Sequence, residues 1–392
     1  MNPASNPFAP GAGTQPPELA GRDAILSRAQ LALERTKNSR SARSQLLLGL
    51  RGVGKTVLLN KINDLAEEAG YLTLVLEAPE GRRLAEMLVP PLRRVLHKLS
   101  RSDQAREVAR RGLAVLRAFA SAFKLSAGDI EFGIAAETGT ADSGDLESDL
   151  PELFVAVARA AKAAGRAVAL VIDEVQYLSQ DDLAALIVAV HKIGQKSLPL
   201  VVFGAGLPQL AALAGEAKSY AERLFDYHEV GPLDETAASD ALRSPIQREG
   251  ADITAEALAL LVKLTQGYPY FLQEFGSQAW NAAAVSPIDV GDVERAAQEA
   301  IHRLDQGFFR VRLDRLTPRE RDYVRAMAEL GEGPHRSGEI AQALSIKVST
   351  AAPLRHGLIR KGMVYSPQHG DTAFTVPMFR AFVLRSMPNW KG

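Results

Sequence analysis

The eight residues Gly49-Leu50-Arg51-Gly52-Val53-Gly54-Lys55-Thr56 constrain this chain more than any other stretch. They follow the apolar run Gln45-Leu46-Leu47-Leu48, which reads as a short buried strand. They precede Val57-Leu58-Leu59-Asn60-Lys61-Ile62, which reads as the first turns of a helix. A glycine turn in that setting suits a phosphate group, because glycines let backbone N–H groups point inward and the helix N-terminus adds partial positive charge. The pattern is that of a Walker A loop. It predicts that residues 49–57 cradle ATP, that Lys55 reaches the β- and γ-phosphates, and that Thr56 offers its hydroxyl to Mg²⁺.

At 392 residues the chain is too long for one ordinary core, so two or three domains are expected. The absence of cysteine excludes disulfides, thiolate zinc sites and a cysteine nucleophile, and no pair of histidines has metal-site spacing. The longest apolar runs, 167–172 and 183–190, fall short of the roughly 18 residues a membrane span requires, so no membrane partner is expected. The N-terminus shows no basic-then-apolar leader, which makes a cytoplasmic location the default expectation. With 46 basic and 46 acidic residues the formal charge is zero, and any basic surface must be local.

Residues 1–17, rich in Pro, Gly, Ala, Ser and Asn, read as a flexible arm, and 24–35 as a first helix. Residues 71–76 read as a second strand. From 81 to about 123 the pattern is helical and strongly basic, with Pro90-Pro91 expected to end or kink the helix. An acidic stretch follows, in which Ile130, Phe132 and Ile134 alternate as in a short hairpin strand. Such adjacent blocks of opposite sign either neutralise each other or leave the basic run for nucleic acid.

The second chemical landmark is the apolar run 167–172 ending in Asp173-Glu174, a Walker B pattern. A carboxylate at the C-terminal end of a buried parallel strand sits where nucleotides bind in such sheets. Asp173 is expected to hold Mg²⁺ through water, and Glu174 to orient and polarise the attacking water. Gln176 and Tyr177 are open between a site role and ordinary surface or core roles. A further strand at 198–203 runs into Gly204-Ala205-Gly206-Leu207-Pro208, read as a turn that brings backbone towards the γ-phosphate. It is not a nucleophile elbow, since no serine stands between the glycines. Residues 218–225 lead to a last strand near 227–230. Arg223 is either a transition-state arginine donated to the nucleotide of a neighbouring copy, which implies a homo-oligomer, or an ordinary helix-surface cation.

The GLRGVGKT loop, the LVIDE strand end, the GAGLP turn, the SYAERLF segment and the upstream ELAGR together resemble the AAA+ ATPases of the origin-recognition-like group, close to the STAND signalling NTPases. The resemblance runs from about residue 16 to the end. It implies an α/β P-loop core with a five-stranded parallel sheet, a helical lid, ATP held between the two, and a C-terminal winged helix. It also suggests that residues 16–23 cover the adenine. The stretch 200–206 lacks the usual polar first-sensor residue, which bears on the rate of hydrolysis more than on binding.

Beyond 230 the pattern becomes a string of short helices, suited to a helical lid at 231–304. Within it, Thr265-Gln266-Gly267-Tyr268-Pro269-Tyr270 resembles the glycine-x-proline turn of related lids, whose proline, here Pro269, lies near the base; the second-sensor arginine is absent. The expected domains are the arm 1–17, the ATPase core 18–230 with an insertion at about 81–150, the lid, and a final domain at 305–392. In that last domain Thr317-Pro318-Arg319-Glu320 opens a helix, 337–344 and 349–360 read as two more, and 362–376 as a hairpin. This is a winged helix-turn-helix pattern, with Arg355, His356, Arg360 and Lys361 as candidate contacts to double-stranded DNA. The leading expectation is a Mg²⁺-dependent ATPase switch of DNA-associated, initiator- or regulator-like type. The alternative is a STAND-like signalling or defence switch whose winged helix meets protein.

Overall fold

The computed structural model describes residues 1–11, 13–125, 136–368 and 370–390. The alternation at Ile130, Phe132 and Ile134 lies outside the described residues. The chain divides into two compact units, one of residues 22–48 and 55–229, the other of 1–21, 49–54 and 230–392.

The first unit is built on a parallel sheet ordered β2-β3-β4-β1-β5. Its strands are β1 (Ser44–Leu48), β2 (Leu72–Glu77), β3 (Val168–Asp173), β4 (Leu200–Gly206) and β5 (Phe225–Glu229). Helices α1 (Asp23–Lys37), α2 (Lys55–Glu68), α3 (Leu84–Ser100), α4 (Arg106–Ala122), α5 (Leu146–Ala163), α6 (Gln180–Gln195), α7 (Leu210–Ala217) and α8 (Ala221–Leu224) connect them. β1 and β4 are buried along their whole length, which requires cover on both faces and explains their unbroken apolar sequence. The register aligns Leu48 with Gly206 and Ile172 with Gly204, so the C-terminal tips of β1, β4 and β3 stand side by side.

Two expectations are revised here. Of the two outcomes expected at Pro90-Pro91, the helix does not end there: α3 runs through both prolines. Its buried face of Leu88, Val89, Leu92, Val95 and Leu96 supplies enough packing to offset a loss of about 3 kcal/mol per interior proline. Gly204-Ala205-Gly206 is no turn but the last part of β4. A Cβ on Gly204 would stand 2.6 Å from Leu46 Cδ2, so glycine there lets the Leu46 side chain close up against β4. One ion pair joins the opposed charge blocks, Arg111–Glu137 at 3.9 Å, while Arg106 pairs with Asp103 inside the basic stretch and Glu147 of the acidic stretch pairs with Lys218, each at 2.5 Å.

The second unit holds α9 (Glu235–Arg248), α10 (Ala255–Thr265), α11 (Pro269–Ala282), α12 (Val290–Arg303), a π-helical turn at Leu304–Phe309 and α13 (Arg310–Asp314). It continues with α14 (Pro318–Leu330), β6 (His335–Arg336), α15 (Ser337–Ala343), α16 (Val348–Arg360), β7 (Val364–Tyr365), β8 (Asp371–Phe374) and α17 (Phe379–Ser386). The short strands form an antiparallel sheet ordered β6-β8-β7, so the expected hairpin gains a third strand from His335–Arg336. Thr317 and Glu320 cap α14 reciprocally, as their spacing predicts.

The N-terminal residues depart from the loose arm their composition suggests. The Asn6 side chain donates to Ser277 O and to Asn281 Oδ1, both at 3.0 Å, and Trp280 Nε1 donates to Asn2 O at 2.9 Å. Phe8 is buried over Gly276, where a Cβ would stand 2.7 Å from its ring. One aromatic side chain in a polar arm finds the single gap on α11 that a mid-helix glycine leaves.

Candidate functional site

Residues 44–48 form a strand because five buried side chains need cover, and the chain must then turn sharply at its tip. Gly52 and Gly54 have φ of +84° and +93°, a region other residues adopt only at a cost, and nothing lies within 4 Å of where a Cβ on Gly54 would be. Loop backbone at that position is open to a ligand. The loop continues into α2, whose first residues are Lys55, buried, and Thr56.

In the sheet unit Thr56 Oγ1 donates to Asp173 Oδ2 at 2.5 Å, and Asp173 Oδ1 accepts from Glu174 N at 2.8 Å. Residues 117 apart in sequence thus share one hydrogen bond at the tips of the strands. Burial pushes the Asp173 carboxyl above its ordinary value; the bonds from Thr56 and Glu174 N, and the nearby Lys55, act in the opposite sense. Glu174 takes a left-handed backbone, φ 55°, which turns the chain into a single 3₁₀ turn over Val175–Tyr177. Among the described residues no group of three or more His, Cys, Asp or Glu is placed to hold a metal ion by itself. A hydroxyl and one carboxylate, completed by water and phosphate oxygens, are the donor set Mg²⁺ favours, so these residues fit that ion.

Within the other unit the loop residues 49–54 meet the turn 267–270. Gly49 must be glycine, since a Cβ would stand 2.1 Å from Val230 O, and Gly267 likewise, at 2.2 Å from Leu233 O. The Tyr268 hydroxyl donates to Arg51 O, and Tyr270 N donates to Gly52 O at 3.2 Å. Gly362 makes room for the Arg51 side chain, whose Nη2 would lie 2.6 Å from a Cβ there. Tyr270 stacks on Phe308 at 4.7 Å, and Phe309, next to it, packs on Phe382 of α17 at 5.3 Å. Arg312 lies 3.7 Å over the Phe308 ring, its pKa brought down to about 10 by burial first and by the charge of Arg51 second. Tyr268 and Tyr270 were not singled out as loop contacts from sequence; an aromatic pair flanking the proline was the available signal.

The remaining predicted residues fall in different places. Pro269 is the first residue of α11, between the two tyrosines that touch the loop. Arg223 is exposed beside Phe225, which pairs with Ser44 at the N-terminal end of β1, the end opposite Lys55. It lines a cleft of about 250 Å³ with Arg40, Arg43 and His191. Residues 18–21, part of the stretch expected to cover the adenine, pack on α9: Glu18 pairs with Arg248, and Gly21 abuts Ala237. Arg355 bonds inward, to Thr372 Oγ1 at 2.8 Å, Ser366 Oγ at 2.7 Å and Asp371 O at 2.8 Å. Lys361 pairs with Glu320 at 2.7 Å. Both were expected to contact DNA and are instead engaged within the unit; Arg360 lies exposed on α16.

Residues 18–203 match the AAA ATPase domain family, and residues 306–383 match a domain of unknown function (DUF8462). The chain therefore carries an AAA ATPase domain, and its five-stranded parallel sheet is that of an AAA+ P-loop ATPase. Among solved structures it is similar to the Walker-type ATPase PABY2304 of Pyrococcus abyssi, at 18% identity and a TM-score of 0.60, over 94% of this chain and 97% of that one. Weaker likenesses are to Cdc6p of Pyrobaculum aerophilum (14% identity, TM-score 0.49, 99% and 98% covered) and to the Orc1 protein of Aeropyrum pernix in complex with DNA (16%, 0.45, 95% and 94%). The search of curated proteins gave no match. Among the described residues, no helix is long and apolar enough to cross a membrane.

Proposed function

We propose that this protein is a Mg²⁺-dependent ATPase whose nucleotide state is transmitted through the lid helices to a DNA-associated winged helix over residues 305–392. The observation that carries the ATPase reading is the 2.5 Å bond between Thr56 and Asp173, which joins the phosphate loop's hydroxyl to the acidic strand tip. Backbone N–H groups of residues 49–57 would hold the phosphates, and Lys55 would neutralise them. Thr56 and Asp173 would hold Mg²⁺, which when bound offsets charge that builds on the phosphoryl oxygens. Glu174 would accept a hydrogen bond from the attacking water and aim it. The transmission is supported by the run from Arg51 and Gly52 through Tyr268 and Tyr270 to Phe308, Phe309 and Phe382. Arg223, exposed near Arg40 and Arg43, would serve the nucleotide of a neighbouring copy in a homo-oligomer.

Titration with ATP and Mg²⁺ tests the nucleotide reading. Lys55→Ala is expected to lose binding, and Glu174→Gln to keep binding while turnover stops; unchanged affinity in the first variant would end the loop assignment.

A second reading, a switch whose winged helix meets protein, is favoured by one observation. Arg355 and Lys361 are consumed internally, and of the exposed residues of α16, which include Ser349, Thr350, Ala352, Pro353 and His356, Arg360 alone carries a fixed charge. Duplex binding that weakens steeply with salt supports the DNA reading. No binding at low salt, with or without ATP, supports the protein-facing one.

A further inference from the structure

The tip of β4 carries no polar side chain, yet it is joined to the acidic strand end by a side chain from elsewhere. Gln176 Oε1 accepts from Leu207 N at 3.0 Å, directly after β4, while Gln176 Nε2 donates to Glu174 Oε2. The amide can face only one way, because a backbone N–H needs an acceptor and a carboxylate needs a donor. The 3₁₀ turn at Val175–Tyr177 brings Gln176 back beside Glu174, two residues earlier. Gly206 leaves the space: a Cβ there would stand 2.7 Å from Gln176 Oε1.

We infer that Gln176 is the positioning residue for Glu174, fixing its carboxylate against the end of β4 where no polar side chain of β4 does so. The inference rests on the reading that Glu174 aims the attacking water. A carboxylate tethered at one oxygen keeps the other available to water in a single direction, whereas an untethered one samples several rotamers. A misplacement near 1 Å can cost up to about 10²-fold in rate.

Two substitutions in the full chain separate the halves of the amide. Gln176→Glu keeps an acceptor for Leu207 N and removes the donor to Glu174; Gln176→Met removes both. Hydrogen exchange without nucleotide should show the peptide containing Leu207 exchanging faster in Gln176→Met and at the parent rate in Gln176→Glu. In ATP hydrolysis both variants should lose about tenfold or more in kcat, with the ATP dissociation constant within about threefold of the parent. Parent-level or higher kcat in both, with Glu174→Gln inactive, would overturn the inference while leaving Glu174 in its role. Turnover by Glu174→Gln at the parent rate would instead remove the reading beneath it. Leu207 exchange unaltered in Gln176→Met would also overturn the inference, since the link to β4 would then not exist in solution.

Discussion

Thr56 and Asp173, beside the tips of the core strands, and Arg355 and Lys361, within residues 305–390, were all nominated from sequence as ligand-facing, and the structure treats them differently. At the strand tips, Thr56 and Asp173 bond to one another and keep further lone pairs for an ion. In the C-terminal part, Arg355 holds β8 and Ser366 together with three hydrogen bonds, and Lys361 neutralises Glu320 under α14. A guanidinium with every strong partner inside its own unit stabilises that unit. A small polar pair at an open loop is equipped to take a ligand.

That contrast can be broken at either end. The largest effect is expected from Asp173→Asn, which should remove most of the Mg²⁺-dependent part of ATP affinity, about 10–100-fold, with little change in the unfolding midpoint. A variant that loses stability and keeps its Mg²⁺ response would put Asp173 in the same class as Arg355.

Arg355→Ala should do the reverse. Thr372 is fully buried and would lose the guanidinium's donor, so a loss of roughly 1–3 kcal/mol in urea unfolding is expected with ATP affinity unchanged. If stability held while duplex binding fell, Arg355 would belong with the ligand-facing residues after all.

The smallest effect concerns Glu320. Burial alone would raise its pKa, but Lys361 and the bonds from Thr317 outweigh it, and the carboxyl sits below its ordinary value of 4.5. Its stabilisation is then complete above pH 4.5 and lost as pH falls through the lower folded value. Glu320→Gln should cost about 1 kcal/mol at neutral pH, and the difference from the parent should shrink on acidification. A constant difference across that range would mean that shape, not charge, sets the contribution.

The sequence by itself determined the loop, the acidic strand end and the cap at Thr317, because each is local chemistry. Positive-φ glycines before a helix, an apolar run ending in carboxylates, and Thr-Pro-Arg-Glu leave few alternatives over a handful of residues. Tertiary structure decided what the same letters do elsewhere. Gly52-Val53-Gly54 and Gly204-Ala205-Gly206 have identical spacing, yet the first pair holds φ of +84° and +93° with open space at Gly54. The second pair lies in an extended strand crowded by Leu46 and Gln176, a matter of which strands become neighbours. The fates of Pro90-Pro91, Phe8, Arg355 and Gln176 follow the same rule. Propensity and charge are properties of a residue, whereas a cavity to fill or a donor to satisfy exists only once distant segments have met.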